Sequence, residues 1–283
     1  MSNDLNLIEP GVGAASYWHP RHFILSAWTE HAPFAAWILS VTRPSLLVEL
    51  GSHTGFSLFT FAETAQRLEH AGKIVGVDSW EGDDHAGFYG DDVFKEVARI
   101  AGDDYPDSIE LVRSYFADAV SQFEDGSIDL LHIDGRHGYE DVKEDYELFA
   151  PKLSERAVVL FHDTHEFQEG FGVHRFWDEI ATTVPSFQFH HGHGLGVLAV
   201  GSKVPTAVLD FIAAATADSA KMRSRYAALG ERMQEEYALR QTVINFTAEI
   251  YALNAQIDTI HRSKSWRITA PARALTSAVS RRG

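Results

Sequence analysis

The chain has 283 residues, 45% hydrophobic and 23% charged, and a formal net charge of -16 at pH 7. That length allows one large domain or a domain with an appendage. The acidic surplus argues against nucleic-acid binding, and the lack of cysteine excludes disulfides, thiolate metal sites and cysteine nucleophiles.

Residues 16–40 are rich in aromatics at helical spacing, with Phe34, Trp37 and Ile38 on one apolar face. Pro44 stops this helical lead-in. The run "SLLVEL", Ser45 to Leu50, reads as a strand buried on both faces of a parallel sheet. An amphipathic helix, Phe56 to Gly72, precedes a second strand, Lys73 to Trp80. A helix over 91–102 precedes a third, Ser108 to Tyr115; a short helix from Phe116 precedes a fourth, Ser127 to Asp134. A helix from Tyr139 to Leu153 leads to a fifth, Ala157 to Asp163. Strands alternating with helices predict right-handed crossovers and a sheet covered on both sides. After a helix near 171–182, two apolar runs within Ser186 to Gly201 join through glycines, as in an antiparallel edge hairpin.

The composition changes after Lys203. Residues 207–262 hold one glycine and no proline. Met222, Tyr226, Leu229 and Met233 follow a four-three-four spacing, and Ile250, Leu253, Ile257 and Ile260 resume it after a phase slip near Glu236 to Arg240. This predicts a long helix of coiled-coil type. The expected organisation is an N-terminal helical segment (1–44), an α/β domain (45–203) and a helical extension (204–283). No apolar run reaches the ~18–20 residues that span a bilayer. The acidic N-terminus has no signal-peptide core, so a cytoplasmic location is expected.

The first strand leads into "ELGSHTG", Glu49 to Gly55. Glycines at 51 and 55 permit a tight turn and close approach of a ligand. The spacing is neither the dinucleotide G-x-G-x-x-G nor the P-loop pattern, and no lysine is present to neutralise phosphate. An acid before the turn suits a cationic donor such as S-adenosyl-L-methionine (SAM). Asp78, ending the second strand, is placed to accept ribose hydroxyls. "VELGSHTGFS" with "VGVDSW" resembles the motifs of class I SAM-dependent methyltransferases, which implies a Rossmann-like fold. Gly51, Ser52, His53, Thr54, Gly55, Ser57, Asp78, Ser79 and Trp80, with Glu49, are then the expected cofactor-binding set. "SAWTEHAPFAAWIL", "DSWEGDDHAGFYG", "IDLLHIDGRHGYEDVKEDYELFAPKLSERAVVLFHDT" and "HGHGLGVL" resemble methyltransferases associated with bacterial glycosyltransferases and surface-polysaccharide clusters.

The fourth strand ends "HIDGRH" and the fifth "FHDTH", bringing Asp134, His137, His162 and Asp163 to neighbouring tips. Carboxylates suit Mg2+ or Mn2+, and an imidazole in the set pulls toward Mn2+. D-x-x-H after the fourth strand also resembles metal-dependent sugar O-methyltransferases, whose acid is a metal ligand and whose histidine is the base. That likeness assigns Asp134 and His137 to catalysis. Metal ligands are expected at Asp134, His162 and Asp163, with His162 standing where the family has an acid.

Among weaker signals, Glu81 to Asp92 reads as a lid or acceptor loop, and His190 to Gly194 as a hairpin turn or a second metal cluster. The C-terminal helix reads as a homo-oligomer contact. Trp266, Ile268, Leu275 and Val279 interleave with Arg262, Lys264, Arg267 and Arg273, a pattern compatible with weak attachment to an anionic membrane face. "SKSWRITAPAR" resembles stretches beside polysaccharide-assembly glycosyltransferases and suggests such a partner. The sequence leads to an O-methyltransferase acting on a sugar hydroxyl. It leaves open a small-molecule O-methyltransferase and a non-catalytic assembly subunit.

Overall fold

The computed structural model describes residues 7–24, 26–83 and 87–273. The chain forms two compact units, Met1–Gln234 and Glu235–Gly283.

The first unit is built on one seven-stranded sheet. Its strands are β1 (Leu46–Leu50), β2 (Lys73–Asp78), β3 (Ile109–Arg113), β4 (Ile128–Ile133), β5 (Leu153–His162), β6 (Ser186–Phe189) and β7 (Leu195–Ala199). They lie in the order 6-7-5-4-1-2-3. The first five run parallel, and β7 runs antiparallel to both β5 and β6. The expected strands and edge hairpin therefore form. β5 starts earlier than expected, at Leu153, because the chain leaves the preceding helix at Phe149 through a single 3-10 turn containing Pro151. Two short ribbons, Leu7–Glu9 with Val12–Gly13 and Gly82–Asp83 with Gly87–Phe88, stand apart from the sheet.

The helices are α1 (Ala32–Thr42), α2 (Phe56–Arg67), α3 (Asp91–Asp104), α4 (Phe116–Ala119), α5 (Tyr139–Phe149), α6 (Val173–Ile180), α7 (Thr206–Ala217) and α8 (Ser219–Arg262). Successive strand residues face opposite sides, so each strand feeds two cores. Leu47, Ile74, Leu130 and Leu160 join Phe34, Trp37, Phe59, Phe61 and Phe211 on one face. Val48, Val75, Leu131 and Phe161 join Phe149, Phe176 and Trp177 on the other. This double burial explains the unbroken aliphatic strands. Helix α1 is apolar almost all round because it is enclosed between the 3-10 turn Ala14–Tyr17, α2 and α7. Each large side chain it buries contributes roughly 1.5–3 kcal/mol.

The first unit continues past residue 203 to Gln234. Val208, Phe211, Ile212 and Ala215 of α7, and Met222, Tyr226, Leu229 and Met233 of α8, belong to the same core as α1. Gly230 is needed there, since a Cβ would come 2.7 Å from the Glu30 carbonyl oxygen. The long helix expected over 207–262 is broken once, where Asp218 leaves the helical region. No helix among the described residues is long and apolar enough to cross a membrane. Leu275 and Val279 lie outside the described residues.

Candidate active site

Strand order reverses between β1 and β4, and the carboxyl ends of β1, β2, β4 and β5 open a crevice at that point. A cavity of about 1160 Å3 occupies it. Gly51, Ser52, His53, Thr54, Ser57, Asp78 and Ser79 line it from the β1–β2 side, as the sequence suggested.

Gly51 adopts φ +89°, and a Cβ there would lie 2.0 Å from the Asp134 carbonyl oxygen. The first glycine is thus demanded by the neighbouring strand tip as well as by any ligand. Asp78 has a duty the sequence did not suggest. Its Oδ2 accepts the backbone N–H groups of Ser52 (2.9 Å) and His53 (2.8 Å), and its Oδ1 that of Trp80 (2.6 Å). These charge-assisted bonds clasp the glycine loop to the end of β2. A carboxylate offers about four acceptor positions, so capacity for a ribose hydroxyl remains.

Three expected cofactor residues do not line the cavity. Glu49 is fully buried, with Oε2 2.9 Å from His132 Nδ1, because β1 and β4 pair these two residues side by side. The rings of Trp28 and Phe61 pack against His132. Trp80 is also fully buried; its indole N–H donates to the His53 carbonyl (2.9 Å) and its ring meets Phe94. It supports the loop from beneath. Gly55, at φ +83°, serves as the N-cap of α2.

The opposite wall carries the groups at the tips of β4 and β5. Asp134, His162 and Asp163 place one ligand atom each within 4.8 Å of one another. His162 Nδ1 stands 3.1 Å from Asp134 Oδ1 and 3.2 Å from Asp163 Oδ2. His137 Nε2 stands 3.0 Å from Asp163 Oδ2, and its ring stacks on Phe171 at 4.8 Å. Burial disfavours a charge on His162, but Asp163 and Asp134 outweigh it and hold its pKa well above the usual histidine value. Burial raises the two carboxylates less than His162, joined at Asp163 by His137, lowers them. Asp163 sits in left-handed backbone, φ 58°, as do His53 and Trp80. Non-glycine residues persist there only when their surroundings over-determine them.

The hairpin between β6 and β7 reaches the same place. The Gly192 carbonyl accepts from His31 Nε2 (2.9 Å) and His162 Nε2 (3.0 Å). His193 Nδ1 pairs with Glu166 Oε2 at 2.7 Å, and both residues line the cavity. Glu166 was missed in the sequence; its signal was its place three residues after Asp163, opposite the "HHGHG" turn. Burial lowers the pKa of His31 well below the ordinary value, reinforced by His191 and His162.

Helix α5 adds a carboxylate that the sequence gave no reason to single out. Asp145 lines the cavity, and burial, then Asp141 and Glu144, push its pKa up to about 7. An unfolded chain ionises the same group near pH ~3.9. Between these values the native state holds a proton that the unfolded state has lost, so stability falls as pH rises through the window. Asp145→Asn removes this effect. Its gain in melting temperature should be small near pH ~4.5 and full near pH ~8, where the ionised carboxyl costs about 4 kcal/mol at most. Melting curves at the two pH values check this; an equal shift at both would contradict it.

Residues 48–164 match a family described as "Methyltransferase domain". An "Uncharacterized protein y4gI" of Sinorhizobium fredii (strain NBRC 101917 / NGR234) is 42% identical over 203 residues, 72% of this chain and 22% of its own length. The chain thus spans about a fifth of that relative. Among solved structures, O-methyltransferase TomG from Streptomyces achromogenes, involved in tomaymycin synthesis and in complex with SAM, is similar at a TM-score of 0.47 and 14% identity. That match covers 63% of this chain and 82% of TomG. An O-methyltransferase from Bacillus cereus with SAH gives 0.47 and 15%, over 64% of this chain and 84% of its own. SAH-bound methyltransferase PaMTH1 of Podospora anserina gives 0.45 and 13%, over 63% and 89%.

Proposed function

We propose that this chain, which carries a methyltransferase domain over residues 48–164, transfers the methyl group of SAM to a hydroxyl of a sugar, within assembly of a bacterial surface polysaccharide. The observation that carries the reading is a single cavity joining the glycine loop to Asp134, His137 and Asp163. The cavity's charge supports the donor. Asp78, Asp134, Asp141, Glu144 and Asp163 line it, against Arg136 as the one Lys or Arg among its described lining residues and the His162 imidazole, whose pKa Asp163 and Asp134 raise. Such a wall welcomes a sulfonium and an ammonium and repels the phosphates of a dinucleotide. Polar groups at the far end, including Glu166, Gln168 and His193, suit a polyhydroxylated acceptor.

Methyl transfer from sulfur to oxygen is an in-line displacement, so the protein's main task is placement. The loop Gly51–Gly55, clasped by Asp78, would fix the donor. His137 would take the acceptor's proton, with Asp163 orienting its ring and stabilising the imidazolium that forms. Two carboxylates and an imidazole are a chemically reasonable donor set for a divalent cation, with Mn2+ favoured over Mg2+ by the histidine. Asp134, His162 and Asp163 would hold it, and when bound it would lower the pKa of the acceptor hydroxyl.

Phe88, Tyr89, Tyr115 and Phe171 also line the cavity, which favours a phenolic natural product as the competing acceptor. Calorimetric titration with SAM and with NAD, each with and without EDTA, tests the donor and the metal. The expected result is heat with SAM, none with NAD, and, in a methyl-transfer assay with sugar and catechol acceptors, a rate suppressed by EDTA. No heat with SAM would overturn the reading. Methylation of catechols but of no sugar would transfer it to the competing acceptor class.

A further inference from the structure

We propose that the second unit pairs with a second copy of this chain as a parallel, in-register, two-stranded coiled coil over residues 239–260. Leu239, Val243, Phe246, Ile250, Leu253, Ile257 and Ile260 are 47 to 65% exposed on α8. They recur at alternating intervals of four and three residues without interruption. This is a heptad seam with Val243, Ile250 and Ile257 at a and Leu239, Phe246, Leu253 and Ile260 at d. At 1.5 Å per residue it runs ~33 Å, about three heptads. A soluble helix gains nothing from holding such a stripe in water, and a contiguous apolar surface of this kind marks an interaction site.

The seam is distinct from the stripe that serves the first unit. Met222 and Leu229 share the a class with Val243, but their companions Tyr226 and Met233 fall one class beyond d. The switch occurs at Glu236 and Arg240, which bond to each other within the helix at 2.9 Å. The spacing class of the apolar residues therefore changes close to where the first unit ends, at Gln234.

The flanking residues select the occupant. In a parallel pair each g residue meets the e residue five places on in the other copy. Glu235 then faces Arg240 of the second copy. Thr242 meets Thr247, Glu249 meets Asn254 and Gln256 meets His261, with no like-charged pair. An antiparallel pair sets g against g and e against e. That places Glu249 against its own copy and Arg240 against His261. Charge complementarity thus favours a second copy in parallel. β-branched residues at every a, with leucine at two of four d positions, favour two strands over three.

The chain lacks cysteine, so a single introduced thiol reports register without interference. Full-length wild type should sediment at twice the 31.5 kDa of one chain. The double variant Ile250→Glu with Ile257→Glu should sediment as a monomer with an unchanged near-ultraviolet circular dichroism spectrum, which separates lost pairing from lost folding. Under mild oxidation Val243→Cys should yield a disulfide-linked dimer, and Ala248→Cys, on the opposite side of the helix, should not. A monomeric or trimeric wild type would overturn the proposal. So would a dimer indifferent to the double variant, or one in which Val243→Cys fails to cross-link. Because none of these readouts needs methyl transfer, they stand or fall separately from the proposed activity.

Discussion

Replacing His137 with alanine should lower the rate of methyl transfer by ~10^2- to 10^4-fold, the usual contribution of a positioned acid or base, while the affinity for SAM stays unchanged. The geometry behind this is specific. Gly138, immediately after His137, is the N-cap of α5, and the His137 carbonyl accepts the Gly172 N–H at 2.7 Å, so the backbone on either side of the ring is fixed. The ring itself is held between Phe171 and the Asp163 carboxylate. Truncation removes the proton acceptor and leaves the glycine loop and the Asp78 clasp, on the other wall, untouched. The loss should therefore fall on kcat and spare the binding of the donor. A variant retaining roughly a tenth or more of the wild-type rate would remove His137 from the reaction. A wild type that binds SAM but methylates nothing would instead favour a non-catalytic assembly role.

Gly51→Ala should be the most damaging single change in the glycine loop. The residue sits at φ +89°, and the new Cβ would meet the Asp134 carbonyl oxygen at 2.0 Å. Left-handed backbone costs an alanine ~1–2 kcal/mol. The overlap is with main chain, which no rotamer change relieves, and overpacking of this sort adds ~1–3 kcal/mol. Together these imply a melting temperature lower by roughly 5–15 °C for a unit of this size. The displaced carbonyl belongs to Asp134, so methyl transfer should fall as well. Gly126→Ala is the control. It has φ +71° with nothing within 4 Å of the added Cβ, and so carries the backbone cost alone. Equal melting temperatures for the two variants would mean that the β1 and β4 tips are not in the contact described.

Much of this architecture can be read from the residues in order. Aliphatic runs such as "SLLVEL" and "AVVLF" announce a doubly covered sheet because each must serve two cores. The tips after β4 and β5 announce a shared site because parallel neighbours end on the same side. What could not be read depends on partners across strands. Glu49 looks like a cofactor ligand at the end of its strand, yet the β1–β4 register sets it beside His132 and buries it. Asp78 looks like a ribose ligand, yet its first partners are the backbone N–H groups of residues 52, 53 and 80. Trp80 sits in the motif but turns under the loop. The compact first unit runs on past 203 to Gln234, which the pattern does not announce because α7 and the start of α8 are amphipathic like the rest of the helical stretch. Their apolar residues pack against Phe34 and Trp37.

The Gly192 carbonyl has a consequence for how the trio beneath it would exchange ions. A carbonyl only accepts, so both imidazoles that meet it carry hydrogen on Nε2. That fixes the tautomer His162 must adopt once neutral: Nε2 protonated, Nδ1 bare and already directed at Asp134 and Asp163. His162 could then offer Nδ1 to a divalent cation held with Asp134 and Asp163 without the ring having to turn, since the Gly192 carbonyl anchors it from behind as ligating histidines generally are.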